Sequence, residues 1–274
     1  MGILFILLLG ALAGCPGEGG LLADDDDSAA TVGDDDDSTS EPPTPTFSSP
    51  VGFTTADGIE LRGSWQPAAG VTNGPVVVML HELGGDRNDF NLIWDIFQSN
   101  GISTMAFDHR GHGGSPDAGV PLSELRTTPG LLEADVRAAI DFVLGQSVVD
   151  ASKVGVLGLD VGANLAVIGR HESRNGSPDS WRVHTIVAIT PDVAGIETLG
   201  ELAAGDLALS NAQYVAGENT PDDVTDATAL HDLTDEPRDL RVVLGTGAHG
   251  AAMLTSSSDA RNGIVAWFAN RFDE

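Results

Sequence analysis

Three stretches of this chain are apolar almost from end to end: PVVVMLH at 75–81, ISTMAFD at 102–108 and KVGVLGL at 153–159. A strand with one wet face alternates apolar and polar residues, so strands that do not alternate are buried on both faces. Segments with helical spacing separate them. Phe90, Ile93, Trp94 and Phe97 recur on one side of 86–100, which stops at Asn100-Gly101, and Leu131–Leu144 forms a second amphipathic stretch. The series continues with a helix from Val161, strands at 183–190 and 212–217, a helix near 223–233, a strand at 240–245 and a last helix near 258–271. Ahead of it, FTTADGIELRGSW (53–65) reads as two short strands turning at Asp57-Gly58. Buried strands alternating with helices predict an α/β class with a mostly parallel, doubly wound sheet. Ligands of such sheets bind beyond the C-terminal strand ends. The loops at those ends are HELGGDR, DHRGHGGSP, LDVG and TGAHG.

What precedes the strands belongs to a different kind of chain. Residues 1–14, MGILFILLLGALAG, are an apolar run ending at Cys15, the only cysteine. The run is short for a membrane span and reads as a signal-peptide core. Its last residues, Leu12-Ala13-Gly14-Cys15, resemble a bacterial lipobox, although no Lys or Arg precedes the run. The resemblance implies lipidation at Cys15, a membrane partner reached through that anchor, and a place in the cell envelope, in the periplasm or at the outer membrane or cell surface. An N-terminal anchor helix with an incidental cysteine is the other reading. Residues 16–50 hold two DDDD blocks and STSEPPTPTFSSP, a composition that cannot bury enough apolar surface to offset ordering and predicts a solvated tether. Ten of the 41 acidic residues and none of the 13 basic ones lie in it, which leaves 31 against 13, a charge of −18, for 51–274. That sign disfavours nucleic acid. With no cysteine left in 51–274, disulfides play no part there, and its length suits one domain.

At four of its loops the domain resembles the α/β-hydrolases, and within them the dienelactone-hydrolase-like and esterase-like enzymes. His81-Glu82-Leu83-Gly84-Gly85 is similar to the loop that lends an oxyanion amide, and Asp108 to Ser115 to the D-x-R-G-x-G-x-S loop. Gly158-Leu159-Asp160-Val161-Gly162 resembles the nucleophile elbow G-x-S-x-G, and His249 the base histidine. The resemblance implies the α/β-hydrolase fold, an active-site cleft holding Asp160 and His249, and oxyanion amides from Val161 and from Glu82 or Leu83. It implies no cofactor and no metal. The excursion of about twenty residues after Thr190 predicts no lid domain. Two departures stand out. Asp160 occupies the serine position, and Thr220 occupies the position of the third triad member, which leaves Asp222 or Asp223 to pair with His249.

An aspartate at the elbow admits three readings. It can be the nucleophile of an alkyl-transfer hydrolase, but Val161 stands where such enzymes carry a halide-binding Trp, and Tyr214 is the only tyrosine. It can activate water, or leave that to His249, on an easy ester-like substrate beside intact oxyanion amides. Or the fold is kept as a binding or structural module, a degenerate hydrolase whose cleft holds a small ligand or a partner. In that reading the carboxylate accepts the oxyanion amides, pairs with His249 and raises its pKa. The elbow suits Asp, which tolerates φ > 0 and sits at a helix N-terminus where negative charge is favoured. The other candidates have bland readings. His81 bonds within its loop, and His109 and His112 lack a third ligand for zinc. Arg110 ties its loop to Asp108 or to an acid on the facing helix, and His231 is a surface residue. Trp94 and Trp267 are core residues, as are Met79 and Met105.

Overall fold

A computed structural model describes residues 49–274 apart from 118 and 177–180. The leader, Cys15 and all but the last two residues of the expected tether lie outside the described residues. Eight strands make one sheet in the order β1-β2-β4-β3-β5-β6-β7-β8. They are Ser49–Thr54, Glu60–Gln66, Gly74–Leu80, Ser103–Asp108, Val149–Leu159, Thr185–Ile189, Ser210–Gly217 and Asp235–Val243. The first two pair antiparallel, β2 is antiparallel to β4, and every later pairing is parallel. The doubly wound, mostly parallel α/β sheet read from the sequence is therefore present. β1 starts at Ser49, so the last two residues assigned to the tether are strand.

Continuous apolar strands form because helices cover both faces. Along β3, Val76, Val78 and Leu80 join one core with α3 (Leu131–Leu144), α4 (Val161–Arg174), α5 (Val193–Gly200) and α6 (Pro221–Leu233). Val77 and Met79 point the other way, into a core with α1 (Asn91–Ser99), α7 (Ala251–Ser256) and α8 (Ser258–Phe272). The remaining helix, α2 (Leu122–Leu125), lies in the β4–α3 connection and sinks Leu125 into the first core.

The strand read at 240–245 runs instead from Asp235 to Val243, and Leu244 beyond it is exposed. β8 is an edge strand, half-exposed along its length, so its charged DEPR start has no apolar signature, and Pro237 is tolerated there. Between β6 and β7 the chain makes only α5 and one 3-10 turn, Ala204–Asp206. Trp267, expected in the core, is half-buried: its Nε1 donates to Thr185 Oγ1 at 2.9 Å and its ring packs under Arg271. Trp94, Met79 and Met105 are buried.

Candidate active site

The elbow is built by close packing. A Cβ on Gly158 would fall 2.1 Å from the Gly162 carbonyl oxygen, and one on Gly162 would fall 2.2 Å from the Leu80 carbonyl oxygen. Only glycines let α4 start so tightly over β3 and β5. Between them Asp160 takes φ 49°, ψ −112°, a conformation that costs non-glycine residues about 1–3 kcal/mol. Its N–H donates to Ile189 O at 3.1 Å and its carbonyl accepts from Asn164 N–H at 3.1 Å, so the backbone on both sides holds the turn.

The elbow presents Asp160 to two cations. Its Oδ1 lies 3.7 Å from His249 Nε2 and 3.7 Å from an Arg126 guanidinium nitrogen. Both are ion-pair distances, longer than a hydrogen bond. The carboxylate makes no capping hydrogen bond on α4. The Val161 amide, one of the expected oxyanion donors, still acts on the carboxylate, which also faces the two cations. Asp160 is 15% exposed, against 48% for His249 and 43% for Arg126. On its other side His249 Nδ1 donates to Asp223 Oδ2 at 3.0 Å. Of the two aspartates left open by the sequence, Asp223, in the first turn of α6, is the one that reaches the ring. Thr220 only closes the turn ahead of α6, its hydroxyl donating to Gly217 O.

Two carboxylates around one imidazole set its charge. The Asp160 carboxylate beside it, against the opposing effect of burial, and the Asp223 carboxylate push the His249 pKa up to about 9. For Asp160, burial favours the neutral acid, but His249, the Val161 amide and Arg126 outweigh it and hold the pKa below the usual carboxylate value. At neutral pH the row sets an Asp160 anion against a His249 cation, with Asp223 on the far side of the ring and Arg126 at the rim. Arg126 carries no motif; only the fold of the β4–α3 connection brings it to the elbow.

The two loops before the elbow are tied together. Glu82, Leu83, Gly84 and Gly85 make a turn closed by Gly85 N–H to Glu82 O at 3.0 Å, with Gly84 at φ 84°. Leu83 packs against the first core, and the Glu82 carboxylate accepts Ala251 N–H at 3.0 Å, next to His249. Val161 is the first residue of α4, so its amide is among those without an intrahelical partner. Arg110 is buried between Asp135 on α3 and Asp57 in the β1–β2 turn, whereas Asp108 takes Arg87 and the Arg87 and Gly114 amides. Each ring nitrogen of His81 and of His112 faces a backbone partner, which leaves neither ring a lone pair for a metal. His231 is partly buried and pairs with Asp232 at 3.2 Å.

No family model matches the chain. A stretch of 131 residues is 34% identical to an uncharacterized protein of Mycobacterium tuberculosis, covering 46% of this chain and 44% of that one. Another of 121 residues is 33% identical to the thiohydrolase AneE of Aspergillus aculeatus, covering 43% and 36%. The chain thus spans less than half the length of these relatives. The crystal structure of the α/β-hydrolase GrgF from Penicillium superposes with a TM-score of 0.61 at 17% identity, over 82% of this chain and 99% of that one. Sheet order, elbow and superposition agree: the chain has the α/β-hydrolase fold.

Proposed function

We propose that this domain is a hydrolase fold working as a binding module, with a fixed carboxylate, Asp160, in the place of the serine nucleophile. The observation that carries the reading is the position of His249 between Asp160 and Asp223, which keeps its imidazole protonated at neutral pH. A general base must be free to take a proton, and this ring already holds one on each nitrogen. Acyl transfer from a hydroxyl is absent as well, because Asp160 has none. Asp160 stands at the elbow as a fixed anion, and the surface around it receives a small ligand or a partner. In the same proposal the leader is cleaved, Cys15 is lipidated, and the acidic tether holds the domain off a membrane of the bacterial envelope.

A second reading draws on the ionised state of Asp160: a carboxylate held below its usual pKa at an elbow can attack an alkyl carbon. It meets the same obstacle at the second step, because a protonated His249 cannot activate the water that frees the alkyl ester. The name of AneE directs the test toward thioesters as well as esters. Wild type and Asp160→Ser are compared on an ester and thioester panel with fluorophosphonate labelling. The proposal expects no turnover by the wild type and a gain of at least about 100-fold in the variant, with label on residue 160, since oxyanion donors alone sustain catalysis of that order. Brisk wild-type turnover lost in Asp160→Ser and in His249→Ala would overturn it. So would a covalent alkyl adduct on Asp160 in His249→Ala, in favour of the second reading.

A further inference from the structure

The loop after β3 and the loop after β4 are joined by two imidazoles that face opposite ways. His112, from the second loop, accepts Gly84 N–H on Nε2 at 3.0 Å and pairs through Nδ1 with Arg110 O at 3.0 Å. His81, from the first, accepts His109 N–H on Nε2 at 3.0 Å and pairs through Nδ1 with Glu82 O at 2.7 Å. A carbonyl only accepts and an amide N–H only donates. Each ring therefore meets both partners in one state alone: neutral, with its proton on Nδ1. The turn these rings hold ends in the Glu82 carboxylate, and that carboxylate reaches the loop of His249. Its Oε2 accepts Ala251 N–H at the start of α7, beside Gly250, whose φ of 53° suits glycine. Thr190 Oγ1 holds the other side of that loop through Gly250 N–H at 3.0 Å.

We propose that Glu82 and His112 are positioning residues for His249: the neutral His112 imidazole fixes the Glu82 turn, and the Glu82 carboxylate fixes the loop that carries His249. The assignment deepens the binding-module reading by naming what orders its central cation. It also implies release on acidification, because a proton on His112 Nε2 turns an acceptor into a donor facing the Gly84 donor. The charged and titratable groups facing His112 are His81 and His109, whose rings lie 4.9 and 6.5 Å away, and Asp108, Arg110 and Asp135. Asp135 is committed to Arg110, and Asp108 to Arg87. Burial dominates this balance and holds the His112 pKa below the ordinary histidine value, so the clamp is closed at neutral pH.

The test is an NMR titration of the wild-type protein from pH 8 downward, following the ring nitrogens of His81 and His112 and the amides of Gly84 and Ala251. The proposal expects the Nδ1–H tautomer on both rings at pH 7. It expects the Gly84 and Ala251 amides to move together with the His112 ring, at a midpoint below that of free histidine and before the protein unfolds. In Glu82→Ala the Ala251 amide stops following His112 while Gly84 continues to do so, and Glu82→Gln, which keeps an acceptor oxygen, restores the coupling. A merely structural loop would move neither the tautomer nor this coupling. An Nε2–H tautomer on His112, an Ala251 amide indifferent to the His112 titration, or a Gly84 shift seen only with global unfolding would each overturn the assignment. His249 titrates near pH 9, in a separate window, so this test and the test of its charge fail independently.

Discussion

Asp160, at φ 49° and ψ −112°, holds a strained backbone that a branched side chain would strain further. Asp160→Asn keeps the turn and loses only the charge. The expected result is a folded protein in which the His249 pKa drops toward its ordinary value, read by NMR. Asp160→Val loses both, and chemical denaturation is expected to show a further loss of about 1–3 kcal/mol from backbone strain. The His249 shift also has a direction in pH. A folded-state pKa raised from 6.5 to about 9 contributes stability that is complete below pH 6.5 and disappears as pH rises through 9. With the ring half-exposed, screening holds this to about 1 kcal/mol. Thermal melts from pH 6 to 10 are expected to decline in the wild type through that window, and the decline is absent in His249→Gln.

Elements meet at points where one atom more does not fit. Gly158 and Gly162 let β3, β5 and α4 converge under the elbow, and Gly162→Ala places a methyl against the Leu80 carbonyl. Urea denaturation is expected to show a loss of about 3 kcal/mol. The β1–β2 turn is tied to α3 through Arg110, and Asp135→Ala leaves that buried guanidinium short of a partner, a loss of about 3–5 kcal/mol by the same measurement. Asp57, held down to about 2 chiefly by its bonds to Arg110, adds stability above its unfolded pKa that is lost as pH falls through 2. Which elements could be read beforehand follows from burial. β3, β4 and the end of β5 are covered on both faces, so their apolar runs announce them, and α3 has the length and stripe of a core helix. β8 has one face and one edge in solvent, and α5 is only eight residues long. Neither carries a period strong enough to be seen.

At the scale of the whole molecule the site is an assembly from five segments of the chain, and its legibility depended on whether each residue stood inside a pattern. Asp160 and His249 stood in motifs that resemble an elbow and a base histidine, each just past the end of a strand. Asp223 was one of two choices, because the bend before α6 decides which aspartate turns inward. Arg126 and the Glu82 bond to Ala251 had no signal: they join residues 34 and 169 positions apart along the chain, and only closure of the sheet brings them together. These pieces bear on one proposed electrostatic state, a cationic imidazole between the carboxylates of Asp160 and Asp223. The direct measurement is the titration of the His249 ring nitrogens in the wild-type domain by long-range proton–nitrogen NMR. A midpoint near pH 9, with both nitrogens protonated at pH 7, is the expected result. A neutral ring at pH 7 with a midpoint at or below that of free histidine would contradict it.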